Sequence, residues 1–194
     1  MMTKTQMNLP TSALPAVFLE RLTPILGNFC SFEVFEYDKL ITIRVNTIKI
    51  SIKEAENILT SQGIAFRRVP WHSQALVLEN IHTPTLEAFY ADLLQKGILY
   101  SQGLSSLLPV LVLDPKPGED VLDMCAAPGS KTTQMAALMH NEGRIVAVEA
   151  IRGRFYKLKS VLNLLGASIV EVKMMDARRY RDTKSFDKIL VDAP

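Results

Sequence analysis

Asp123-Met124-Cys125-Ala126-Ala127-Pro128-Gly129-Ser130-Lys131-Thr132 is the stretch that decides the fold. Before it runs the apolar strand-like Val121-Leu122-Asp123-Met124, and after it Lys131 to Met139 has the spacing of an amphipathic helix. A strand, a turn of small residues and a helix form the opening of a βαβ unit. Such a turn lies at the carboxyl edge of the first strand, where open α/β sheets bind ligands. Small side chains let a ligand approach the backbone, and the helix behind them offers unpaired N–H groups.

Downstream the alternation continues. Arg144 to Val148, Ile169 to Lys173 and Lys188 to Val191 read as strands, with a helix over Gly153 to Leu165. This pattern predicts a mostly parallel, Rossmann-like α/β sheet. Upstream, Leu14 to Leu26 has helical spacing, with Gly27 where a C-cap would stand. Leu40 to Thr47 alternates and is β-branched, so it reads as a strand. Ser51 followed by Glu54 is a capping-box signature for a helix ended by Gly63. Short strands follow over Ala65–Val69 and Ala75–Leu78, separated by Pro70-Trp71-His72-Ser73, then helices over Leu86–Leu94 and Ser105–Leu113. Asp114-Pro115-Lys116-Pro117-Gly118 breaks the pattern. The expected organisation is a small α+β module over residues 1–110, followed by a Rossmann-like domain over 111–194.

The spacing of acidic strand ends narrows the ligand. Glu149 stands twenty residues past Gly129, at the end of the second strand, where it can accept hydrogen bonds from both hydroxyls of a ribose. A Walker loop needs adjacent Gly and Lys with an earlier glycine; here Ser130 intervenes and the loop is too short. A dinucleotide fingerprint needs three glycines, and one is present. A cofactor with a ribose and no phosphates suits the loop, and S-adenosyl-L-methionine (SAM) has that chemistry. Asp176, after the third strand, is placed for the adenine amino group, although a helix N-cap is an equal reading. Asp192, ending the fourth, would face the reacting end.

Bulk properties exclude more than they identify. The 194 residues are 48% hydrophobic and 22% charged, the balance of a globular chain. No apolar run reaches the roughly 20 residues of a membrane span, and Met1 to Leu14 lacks the features of a secretory signal, so a cytoplasmic location is expected. Cys30 and Cys125 have no zinc spacing, and no metal is expected. The net charge of +2 does not argue nucleic-acid binding. Arg152, Arg154, Lys157 and Lys159, and then Arg178, Arg179, Arg181 and Lys184, suit phosphates and solvated faces about equally.

Residues 100–194 resemble the Sun-type family of RNA cytosine-C5 methyltransferases, especially its RsmF-like bacterial ribosomal-RNA branch. The matching words are Tyr100-Ser101-Gln102 with Ser105-Ser106, the loop Cys125 to Thr132 with Thr133 and Gln134, Asn141-Glu142-Gly143, Glu149 with Arg154, Asp176, and Leu190-Val191-Asp192-Ala193-Pro194. Ile43-Arg44-Val45-Asn46-Thr47-Ile48-Lys49 is similar to a strand of the family's amino-terminal module. The resemblance assigns Cys125, Ala126, Ala127, Pro128, Gly129, Ser130 and Lys131 to the SAM loop, Glu149 to the ribose, Asp176 to the adenine, and Asp192 to the methyl-donor end and the target cytosine. It implies RNA, ribosomal above all, as the partner.

The family's chemistry also needs a thiolate that adds to C6 of the base, because cytosine C5 is not nucleophilic enough until then. The resemblance puts that cysteine beyond Pro194. The sequence is thus expected to be an amino-terminal fragment without a catalytic residue, or else a non-catalytic SAM- or RNA-binding protein. Cys125, on the cofactor loop, is expected to be structural. Lys131 opens a helix, where a cation is disfavoured, which points to a ligand or an acidic partner. Tyr100 and Gln102 are expected to pack a junction and Trp71 the small module. Arg44, Arg67 and Arg68 are candidates for RNA backbone or plain surface.

Overall fold

The computed structural model describes Leu40–Ala193 together with Val17, Glu20, Arg21 and Pro24. Those four residues are helical; the rest of the helix expected over Leu14–Leu26, its Gly27 cap and Cys30 lie outside the described residues. Ile41–Pro194 form one compact unit, and that unit holds two sheets.

The first sheet is antiparallel, in the order β2-β3-β1-β4, from β1 (Ile41–Val45), β2 (Phe66–Val69), β3 (His72–Leu78) and β4 (Leu99–Ser101). α1 (Ile52–Ser61) joins β1 to β2, and α2 (Pro84–Gln95) joins β3 to β4. The capping box forms as spaced: Glu54 N–H donates to Ser51 Oγ at 3.2 Å, and Ser51 N–H donates to Glu54 Oε2 at 2.9 Å. Ile43 and Val45 of β1, with Leu76 and Leu78 of β3, face Ala55 and Leu59 of α1 and Leu93 of α2. Each of the valine, leucine and isoleucine side chains contributes ~1.5–3 kcal/mol by leaving water. On the other face Ala75 and Val77 meet Leu107 from α3 (Leu104–Leu113). The sheet is therefore covered on both sides, which is why the second half of β3, Ala75–Leu78, reads as an unbroken apolar run.

The second sheet is parallel, in the order β7-β6-β5-β8, from β5 (Asp120–Asp123), β6 (Arg144–Glu149), β7 (Val170–Met174) and β8 (Lys188–Leu190). α4 (Ser130–Leu138) follows β5, α5 (Arg152–Leu165) follows β6, and a 3₁₀ turn over Ala177–Arg179 follows β7. This is the Rossmann-like α/β arrangement expected from the alternation of strands and helices. Val121, Ile145 and Ala147 pack against Met135, Ala136 and Met139 of α4, Leu158 and Leu162 of α5, and Val110 of α3. Gly143 turns the chain into β6 at φ 101°, and a Cβ there would lie 2.4 Å from the Glu119 carbonyl. Only glycine fits.

Two elements differ from expectation. Pro70 and Trp71 alone make the β2–β3 turn, so His72 and Ser73 belong to β3. Tyr100 and Ser101 lie in β4, which pairs with β1 through Val45–Leu99, Arg44–Tyr100 and Ile43–Ser101. A three-residue strand carries no periodic signal of its own. Among the described residues no helix is long and apolar enough to cross a membrane.

Candidate functional site

The site is built outward from the end of β5. Asp123 is 1% exposed, and its carboxylate closes the base of the following loop: Oδ1 accepts from Cys125 N–H at 3.3 Å and Oδ2 from the Thr132 hydroxyl at 2.7 Å. Burial pushes its pKa up to about 6, opposed by the bonds from Thr132 and Cys125. Ala126 N–H donates to Val148 O at 3.1 Å, which ties the loop to β6. Gly129, at φ 110°, begins α4, and a Cβ on it would sit 3.1 Å from Leu158 and 3.2 Å from Val161. Its bareness lets α4 and α5 close on each other.

Glu149 ends β6 and is 5% exposed. Its Oε1 accepts from Ile151 N–H at 2.8 Å, and Oε2 lies 3.6 Å from Arg154 Nε. Arg154 also donates to the Ala127 carbonyl at 2.8 Å, so one guanidinium links the loop to the acidic strand end. Asp176 follows β7. It caps the 3₁₀ turn by accepting from Arg178 N–H at 3.0 Å and from the Arg178 guanidinium at 2.6 Å, contacts that hold its carboxyl down at about 2. It also lines a cavity, so one side chain both caps the turn and faces that cavity. Lys131 Nζ meets Asp192 Oδ2 at 2.5 Å, which gives the cation at the start of α4 an acidic partner beyond the end of β8.

Two adjoining lobes share Cys125 and Arg154. One is lined by Cys125–Pro128, Ser130, Lys131, Arg154, Asp192 and Ala193. The other is mostly apolar, with Met124, Val148, Ala150, Ile151, Met175, Ala177 and Val191 as its walls and Glu149, Asp176 and Arg178 at its polar points. An apolar slot with carboxylates at two strand ends suits a flat base and a sugar, and the charged lobe suits an amino-acid-like group. Every residue expected at the cofactor lines one lobe or the other except Gly129, whose role is to place α4. The apolar walls Ile151, Met175 and Ala177 were not expected; their positions within a few residues of strand ends are the signal that finds them.

Cys125 is part-buried, and its thiol is pushed upward by burial and by the Asp123 and Glu149 carboxylates, with Arg154 opposing. That environment disfavours a thiolate. Among the described residues no group of acidic, histidine and cysteine side chains has the geometry to hold a metal.

The expectation for Arg44 is corrected. It is 0% exposed on the inner face of β1 and belongs to neither an RNA-facing surface nor solvent. An alternating strand covered on both sides buries whatever it carries. Arg67 and Arg68 are exposed and pair with Glu79 at 3.4 Å and Glu56 at 2.6 Å. Trp71 is 45% exposed and meets His72 edge-on, so it packs only in part.

Residues 110–194 match the family model of the 16S rRNA methyltransferases RsmB/F, and residues 37–84 match that of the ferredoxin-like domain of RsmF/B-like methyltransferases. The tRNA (cytosine(49)-C(5))-methyltransferase of Pyrococcus abyssi is 40% identical over 158 residues, covering 79% of this chain and 49% of the relative. The ribosomal RNA small subunit methyltransferase F of Psychromonas ingrahamii is 36% identical over 191 residues, covering 93% of this chain and 40% of the relative. The crystal structure of a methyltransferase homolog protein from Pyrococcus horikoshii superposes with a TM-score of 0.73 at 33% identity, over 94% of this chain and 60% of that one. The chain thus spans 40–49% of the length of these two curated relatives.

Proposed function

We propose that the chain belongs to the RsmB/F methyltransferase family and carries the cofactor-binding part of a SAM-dependent RNA cytosine-C5 methyltransferase. The observation that carries this reading is the two-lobed cavity bounded by the Cys125–Lys131 loop and by acidic residues at successive strand ends. We divide the chain into an amino-terminal module over 1–110 and the methyltransferase part over 111–194. A cytoplasmic setting goes with this function.

The residues fit the cofactor. Ala126 and Ala127 leave room along the loop, and the apolar walls accept an adenine. Glu149, fixed by Ile151 N–H and Arg154, accepts from the ribose hydroxyls, and Asp176 accepts from the adenine amino group. SAM, when bound, supplies the methyl group. Asp192, steered by Lys131, stands where the target cytosine meets the donor and hydrogen-bonds the base. The thiolate addition that activates C5 is not assigned to Cys125, whose pKa is raised and whose loop faces the cofactor. The RNA substrate is ribosomal RNA in this reading.

Calorimetry with S-adenosylhomocysteine tests the assignment. Glu149→Ala is expected to weaken binding by about 100-fold, the loss of a buried charged acceptor for two hydroxyls. Equal affinity in wild type and variant would sink the ribose role.

A further inference from the structure

Arg44 is the largest completely buried side chain among the described residues, and its hydrogen bonds go only to neutral partners. Nε donates to Gln102 Oε1 at 3.0 Å, Nη2 donates to Thr133 Oγ1 at 2.8 Å, and Nη1 has no partner there. The guanidinium carbon lies 5.6 Å from the centre of the Tyr100 ring. Burial draws its pKa down to about 10, so the fold works against the charge. A well-packed apolar chain would in general hold such a place at less cost. Stability does not account for an arginine here.

Its neighbours offer a different account. Thr133, which accepts from Arg44, donates to the Gly129 carbonyl at 2.8 Å. The Tyr100 hydroxyl lies 3.1 Å from Ser130 Oγ. Two of the three side chains around the guanidinium, Thr133 and Tyr100, therefore end on the Gly129–Ser130 turn, from which Ser130 and Lys131 enter the polar lobe. A parallel row, Gln102 Nε2 to Gln134 Oε1 at 3.0 Å and Gln134 Nε2 to Leu107 O at 3.1 Å, ties the following residue of α4 to the segment just past β4 and to α3. From the opposite side Arg154 holds the Ala127 carbonyl. The loop is gripped at both ends by arginines, one of which never reaches the cavity.

We propose that Arg44 is a positioning residue of the cofactor site. Through Thr133 and Tyr100 it holds the Gly129–Ser130–Lys131 backbone in its ligand-ready geometry before the cofactor arrives. The antiparallel sheet thus serves the binding site although none of its strand residues lines either lobe. The affinity gained is that of preorganisation: a loop already ordered is not ordered at the ligand's expense. This inference rests on the nucleoside-cofactor reading above.

The test uses the full chain with Arg44→Met, Thr133→Val and Thr133→Ser, and with Leu59→Ala as a control that empties the apolar core on the far face of the first sheet. Hydrogen exchange at the Thr133 amide, which donates to the Gly129 carbonyl at 2.9 Å, and at its neighbour Gln134, without ligand, reads the grip itself. S-adenosylhomocysteine calorimetry reads its consequence. Arg44→Met and Thr133→Val are expected to speed exchange at these amides about tenfold over the rest of α4 and to weaken binding about tenfold. Thr133→Ser, which keeps the hydroxyl, restores both. Leu59→Ala lowers the melting temperature and leaves affinity within about twofold. Unchanged exchange in Arg44→Met overturns the proposal, as does faster exchange with unchanged affinity. So does a Leu59→Ala affinity loss as large as that of Arg44→Met, which makes the effect one of general stability. A wild-type chain that binds no S-adenosylhomocysteine, while Arg44→Met still frees the amides, upholds the grip and overturns the cofactor reading.

Discussion

The antiparallel and parallel sheets keep their polar residues in opposite places. In the antiparallel sheet Arg44 and Gln74 sit within strands, His72 at the start of one and Asn46 just past another, and all four are buried. In the parallel sheet Asp123, Glu149, Asp176 and Asp192 stand at or just beyond strand ends. A polar side chain inside a sheet covered on both faces can only bond to the next layer, so it becomes an interlock. One at the carboxyl end of a parallel strand faces the crevice left by the departing chain, so it meets ligands. Position relative to the strand separates holding from binding, and the residue types follow it: cationic and neutral groups within the first sheet, carboxylates at the ends of the second.

The largest expected effect tests the interlock half of this contrast. Asn46 Nδ2 donates to the carbonyls of Gly97 at 2.8 Å and Leu165 at 2.9 Å, joining the α2–β4 turn to the end of α5. Asn46→Leu leaves both acceptors buried and unpaired, and is expected to cost about 4 kcal/mol in denaturant unfolding. A loss below about 1 kcal/mol would break the comparison.

Asp123 sharpens it, being a strand-end acid buried more deeply than Glu149 and lining neither lobe. Its folded pKa of about 6 lies above the ordinary 3.8. The folded state therefore holds the proton more tightly than the unfolded one. Its contribution to stability is greatest below pH 3.8, declines as pH rises to 6 and is flat above. The difference in unfolding free energy between wild type and Asp123→Asn should change by about 3 kcal/mol across that window, at ~1.4 kcal/mol per pKa unit. A difference independent of pH would show that Asp123 is not desolvated.

Asp176 belongs to the ligand half. Asp176→Ala is expected to weaken S-adenosylhomocysteine binding about fivefold with little change in melting temperature, the signature of a contact made mainly to ligand. A fall in melting temperature with affinity intact would make it a cap alone. The smallest effect is at Arg68, whose exposed pair with Glu56 should give no measurable shift in the unfolding midpoint on Arg68→Ala. A clear shift there would mean that surface pairs, too, interlock this sheet.

The parallel half was legible because its signals are local. Val121–Asp123, the small-residue loop and Glu149 follow one another in a strand–turn–helix–strand grammar, and the positions of the acids at strand ends follow from it. The first sheet was less legible for two reasons. β4 is three residues long and exists only because β1 pairs with it. β3 starts at His72 because Pro70 and Trp71 suffice for the turn, and its polar first residues face a polar layer that no local pattern announces.

Sequence alone determined the alternation of strands and helices, the capping box, the glycine that ends α1 and the acidic strand ends, all of which depend on residues close along the chain. Tertiary structure alone decided that Arg44 is buried, that it reaches Thr133 across 89 residues, and that Lys131 pairs with Asp192. Those contacts join separate elements, and a charged residue on an alternating strand reads the same whether water or another layer covers it.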